Sequence, residues 1–218
     1  MKKKVVLLIT LVVCLIGTVI VFTGCGSNKY PNGKVYVYDF GDYINDGLIP
    51  IFEEETGIEV ILDTYDSNEE MYPVIKNNSA DYDIICASDY MIQKMRGEGL
   101  LAKIDFNNVP NIKNIGTKYL DMAKEFDPEN KYSVPYTWGT AGILYDKTVI
   151  PEGSITSWND LWNKKYSGLI VMQHSIRDTF MVALKALGYS LNTTKESELK
   201  AATELLIKQK PLVYKYAN

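Results

Sequence analysis

Between Lys34 and Gly99 the chain alternates three times between a short β-type run and a helical one. Lys34–Tyr38 (K-V-Y-V-Y) alternates and is rich in valine and tyrosine, as a strand is. Leu48, Ile49, Ile51 and Phe52 recur at helical spacing, and Gly57 follows the acidic run as a stop. Ile58–Leu62 reads as a second strand. Ser67 with Glu70 three residues later forms a capping box that opens a helix to about Asn77. Asp83–Ser88 (D-I-I-C-A-S) is a continuous apolar run, the pattern of a strand covered on both faces. Ser88-Asp89 opens a third helix, which Gly97 or Gly99 ends. A strand-helix repeat of this kind folds as an α/β lobe around a mostly parallel sheet.

Ligands of such sheets sit beyond the carboxyl ends of the strands. Two loops leave those ends, Asp39–Tyr43 and Ser88–Tyr90, and each carries an acid and a tyrosine. Tyrosine joins an apolar face to a hydroxyl and suits half-wet surfaces, and the chain has 16 of them. The plainer role of Ser88 or Asp89 is to cap the helix, and the two roles are compatible.

Tyr132–Asp146 (Y-S-V-P-Y-T-W-G-T-A-G-I-L-Y-D) separates this block from a second one. It reads either as a plain aromatic core strand or as a strand crossing between lobes past a ligand, with Tyr136 and Trp138 free to stack. Gly139 and Gly142 would let backbone bend or approach closely there. In the second block Thr156–Trp162 reads as a short capped helix and Gly168–Met172 as a strand. Gln173-His174-Ser175 is a loop, and a helix follows to Leu187 with Gly188 as its stop. Asp178 lies in the first turn of that helix, placed there either by the helix dipole or to face a cleft. A further helix over Glu196–Gln209 and a strand over Pro211–Tyr216 complete a thin second lobe. The expected organisation is residues 1–24 as a signal, 25–33 as a tether, 34–137 as a first lobe and 138–218 as a partial second lobe.

Composition excludes several classes of function. The net charge is -4, and the portion after the basic N-terminus is more acidic still, which argues against a nucleic-acid partner. His174 is the one histidine, so neither a zinc centre nor a Ser-His-Asp triad is expected. There is no Walker A or GxGxxG pattern for a nucleotide. Asp81 and Asp83 precede a strand, at the wrong end of the sheet for paired-acid chemistry. No cofactor, metal or catalytic activity is expected.

Lys2, Lys3 and Lys4, the apolar run Val5–Phe22 and the polar residues after Cys25 have the layout of a secretory signal. Phe22-Thr-Gly-Cys25 resembles a bacterial lipoprotein box, in which Cys25 would be acylated and anchor the protein outside the membrane. The alternative is an uncleaved anchor, since 18 apolar residues can just span a bilayer. Cys86, alone in the globular part, reads as a small buried hydrophobe.

Several segments, in order, resemble the spermidine/putrescine-binding proteins of bacterial ABC importers. They are Asp39–Tyr43, Glu55–Val60, Thr64–Glu69, Lys94–Gly99, Tyr132–Gly139, Thr156–Trp162 and Leu187–Thr194. The resemblance implies a two-lobed periplasmic-binding-protein fold that closes over its ligand, the first lobe mostly complete here and the second partial. It places ligand contacts at Phe40, Asp42, Tyr43, Ser88, Tyr90 and Asp178. Tyr136, Trp138 and Ser175 are further candidates. Phe40 stands where a tryptophan is common, and Ser175 where some members have another acid, so the choice between diamine and triamine stays open. The implied partners are a polyamine, a membrane permease, and the membrane itself through the lipid anchor. Family members continue past the position of Asn218, so weak or no polyamine affinity is expected of this stretch alone. The same fold could serve another small organic cation or an amino acid, and a nonfunctional fragment is the remaining alternative.

Overall fold

The computed structural model describes residues 29–41 and 43–217. The signal region, Cys25 and Asp42 therefore lie outside the described residues. β1 (Lys34–Phe40) is the middle strand of a three-stranded sheet, between β2 (Glu59–Tyr65) and β3 (Ile84–Ile85). β1 and β3 are parallel, with Val37 opposite Ile84 and Tyr38 opposite Ile85. The central position explains the valine and tyrosine of β1: Val37 and Tyr38 are buried there.

The third strand is shorter than the apolar run Asp83–Ser88 suggests, and Ile84 is 55% exposed rather than covered on both faces. Backbone bonding to β1 runs from the Asp83 amide, which donates to the Tyr36 carbonyl at 2.9 Å, to the Cys86 amide, which donates to the Tyr38 carbonyl at 2.9 Å. It stops before Ser88, whose amide turns to the Asn68 side chain at 3.1 Å.

The chain divides into two compact units, residues 29–35 with 45–61 and residues 36–44 with 62–217. In the smaller unit, α1 (Leu48–Thr56) ends at Gly57, whose φ of 66° is the left-handed conformation glycine tolerates best. The Glu53 carboxylate accepts from the Val60 amide at 3.0 Å and from the Tyr30 hydroxyl at 2.8 Å. The Val60 amide and then the Tyr30 hydroxyl hold it below the ordinary carboxylate range.

In the larger unit, α2 (Asn68–Lys76) begins where expected, and Ser67 Oγ accepts the Glu70 amide at 3.2 Å. Glu70 does not close the reciprocal half of the box, because its carboxylate takes the Asp66 amide instead, at 3.2 Å. α3 (Asp89–Gly97) follows β3. Tyr38, Tyr65, Met71, Met91, Ile92 and Met95 form the core between the sheet and these helices. Each such side chain contributes about 1.5–3 kcal/mol by leaving water. After the short helix α4 (Thr117–Ala123), residues 132–146 form no strand, and Trp138 and Leu144 are 63% and 99% exposed. Where a strand was expected, the segment carries no secondary structure. Aromatic and β-branched residues suit a pleated sheet but need a neighbouring ladder to occupy one.

Trp158–Trp162 is a 3₁₀ turn closed by a reciprocal box, in which Ser157 Oγ accepts the Asn159 amide and Asp160 accepts the Ser157 amide. β4 (Ile170–Gln173), α5 (Ile176–Ala186), α6 (Glu196–Gln209) and β5 (Val213–Ala217) complete the described chain. β4 and β5 are parallel, with Ile170 opposite Val213 and Met172 opposite Tyr216. The Trp162 indole donates to the Leu205 carbonyl at 2.8 Å, tying the 3₁₀ turn to α6. Among the described residues no helix is long and apolar enough to cross a membrane.

Candidate ligand-binding site

β1 and β3 run parallel side by side, so the loops after them leave the same edge of the sheet. At the end of β1, the Phe40 ring lies 4.9 Å from Tyr43 in the first loop and 4.5 Å from Tyr65. Phe40 is partly buried against the core, so one face of it is structural. Tyr43 is 48% exposed. Its carbonyl accepts the Tyr136 hydroxyl at 2.6 Å, which draws the unpaired segment 132–146 to this loop. Trp138 sits 6.2 Å from Tyr119, tilted, and stays open to solvent.

The second loop is built on Ser88. Its hydroxyl accepts the Asn68 amide nitrogen at 2.9 Å while its backbone amide donates to Asn68 Oδ1 at 3.1 Å. Ser88 begins α3 without a side-chain cap, because its hydroxyl is already engaged with Asn68. The next residue but one, Tyr90, donates its hydroxyl to Glu69 Oε1 at 3.1 Å. Burial, and then the Glu69 carboxylate, push this phenol well above its ordinary value, so it stays a neutral donor. The Arg177 guanidinium lies over the Tyr90 ring, 5.8 Å from its centroid.

Ser175 caps α5 and accepts the Asp178 amide at 3.3 Å. That leaves Ser175 with a local helix role, while the Asp178 carboxylate is close enough to Tyr90 to raise its phenol pKa further. Ser88, Tyr90 and Asp178 are thus brought to one region, and Phe40, Tyr43 and Tyr136 to another at the same sheet edge. Asn68, Glu69 and Arg177 were not among the expected site residues. Ser67–Glu70 reads in the sequence as a helix start within a segment that carries the family resemblance, and a bond between residues 20 apart leaves no trace in local spacing. Among the described residues no group of three or more histidine, cysteine or acidic side chains is placed to hold a metal ion.

The model of the bacterial extracellular solute-binding proteins matches residues 47–218. The chain belongs to this family. Its members are solute-binding transport proteins rather than enzymes. Among the solute-binding proteins it matches, the spermidine/putrescine-binding periplasmic protein of Salmonella typhimurium is 42% identical over 84% of this chain and 52% of its own length. A crystal structure of the spermidine/putrescine substrate-binding protein PotD of Streptococcus pneumoniae is 40% identical, with a TM-score of 0.65 over 85% of this chain and 56% of that one. The TpPotD lipoprotein of Treponema pallidum is 31% identical, with a TM-score of 0.77 over 85% of this chain and 58% of that one. The chain thus has the periplasmic-binding-protein fold expected from its sequence, and it spans about half the length of the curated relatives it matches.

Proposed function

We propose that the protein is an extracytoplasmic, lipid-anchored receptor that captures polyamines for an ABC importer. The observation that carries this reading is the pair of loops at one sheet edge, Phe40–Tyr43 and Ser88–Tyr90, with Asp178 beside the second. Similarity to proteins named for spermidine and putrescine supports the same ligand class. A polyamine is a flexible chain with separated ammonium groups. Carboxylates at Asp42 and Asp178 would take the charged ends through charge-assisted hydrogen bonds. The rings of Tyr43, Tyr90 and Trp138 would lie along the methylenes, with cation–π attraction worth about 0.5–2 kcal/mol per contact. Ser88 would orient the bound chain, and Tyr136 and Phe40 would shape the wall beside Tyr43. Residues 34–137 and 138–218 would act as the two lobes that close on the ligand, and the permease would read the closed form. Acylation at Cys25 would hold the protein at the outer face of the membrane.

Calorimetric and NMR titration with putrescine and spermidine tests the reading. Saturable but weak binding is expected, with shifts concentrated at Ser88, Tyr90 and Asp178. Binding that leaves these residues unshifted would refute it, and submicromolar affinity would overturn the expectation that this stretch alone binds weakly or not at all.

A further inference from the structure

A cavity of about 330 Å³ lies between Tyr90 and Glu69 on one side and α5, with the residues following it, on the other. That volume is within the range of small-molecule sites. Phe180, Met181, Leu184, Leu191 and Leu199 make its wall apolar. Two charged groups interrupt this wall, Glu69 and Arg177.

These charges line one cavity without meeting. Arg177 forms no ion pair with any carboxylate among the described residues. Its guanidinium is held by one hydrogen bond, from Nη2 to Asn192 Oδ1 at 2.5 Å, and by the face of Tyr90. Its remaining N–H groups have no carboxylate to pair with. Glu69 is fixed through Oε1 by the Tyr90 hydroxyl at 3.1 Å, which leaves Oε2 available. Arginine suits a carboxylate through its planar fork of donors. An acid and a base that flank Tyr90 and line one largely apolar cavity without pairing complement a small molecule with one charge of each sign and an apolar side chain.

We infer that this cavity binds a small apolar α-amino acid. Its carboxylate pairs with Arg177, its ammonium with Glu69, and its side chain lies against Phe180, Met181 and Leu191. A simple amine would leave Arg177 uncompensated, and a simple carboxylic acid would leave Glu69 so. The site is distinct from the proposed polyamine contacts at Ser88 and Asp178 and shares only Tyr90 with them.

The test is a methyl-resolved NMR titration of the whole chain with leucine, 4-methylpentanoate and 3-methylbutylamine. Leucine is expected to give saturable shifts at the methyls of Met181, Leu184 and Leu191. Each analogue, lacking one charge, is expected to bind roughly tenfold more weakly or worse. Arg177→Gln should abolish the leucine response, and Met181→Trp, which fills the cavity and leaves both charges in place, should abolish it independently if the first variant misfolds. An amine or an acid that binds as tightly as leucine overturns the inference, as does the absence of saturation with leucine. Putrescine added to the same sample reports separately on the polyamine reading, through shifts at Ser88 and Asp178.

Discussion

The Tyr136 hydroxyl donates to the Tyr43 carbonyl at 2.6 Å, joining residues 93 apart in the chain. The bond attaches a segment without secondary structure to the loop after β1, in which Tyr43 follows Phe40 and the undescribed Asp42. Tyr136→Phe removes this bond and keeps the ring. Because Tyr136 is 61% exposed, water replaces much of the lost interaction, and a loss of about 0.5–1 kcal/mol is expected in chemical denaturation. Faster hydrogen exchange in 132–146 should accompany it. Unchanged exchange there would show that the tether does not order the segment.

Asn68 is 6% exposed and exchanges two hydrogen bonds with Ser88. Asn68→Ala leaves the Ser88 amide and hydroxyl without this partner at the start of α3. A loss of about 1–3 kcal/mol is expected, measured from urea midpoints. Asn68→Asp retains the acceptor for the Ser88 amide but not the donor to its hydroxyl, and should fall between alanine and the wild type.

The Cys86 thiol is pushed up to about 12 by burial and then by its hydrogen bond to Asp39. In the unfolded chain it titrates near its ordinary value of 9.0. The folded form is thus the weaker acid, and its contribution to stability is complete below pH 9.0 and lost as pH rises toward 12. The limiting slope is about 1.4 kcal/mol per pH unit for one proton. Tyr82, pushed up to about 12 by burial and then Asp63, adds a loss of the same sign above pH 10.0. Urea melts of Cys86→Ala between pH 8 and 11 should show a shallower alkaline decline than the wild type. An identical decline would assign the effect to the tyrosines. Held protonated and only partly exposed, Cys86 is expected to react with iodoacetamide more slowly in the folded protein than on unfolding.

Elements governed by neighbouring residues were legible in the sequence. Gly57 ends α1, Ser67 begins α2, the box around Ser157 and Asp160 closes the 3₁₀ turn, and α6 spans Glu196–Gln209 as the pattern predicts. Each depends on capping groups or periodicity within a few residues. The loops after β1 and β3 were legible as candidate ligand contacts for the same reason, since strand–helix order alone places them at one edge.

Tertiary structure decided the rest. The aromatic run 132–146 has the composition of a strand, yet no other segment among the described residues pairs with it. The run at 83–88 stops short because the Ser88 amide finds its partner on Asn68, far away in sequence. Glu69 and Arg177 lie far apart in sequence, and folding sets both beside Tyr90. Local propensities determined which segments become helices, turns and strands. Which strands gain a ladder, and which charges come to share one ring, was decided by hydrogen bonds and packing between residues distant in the chain, to which neither spacing nor composition is sensitive.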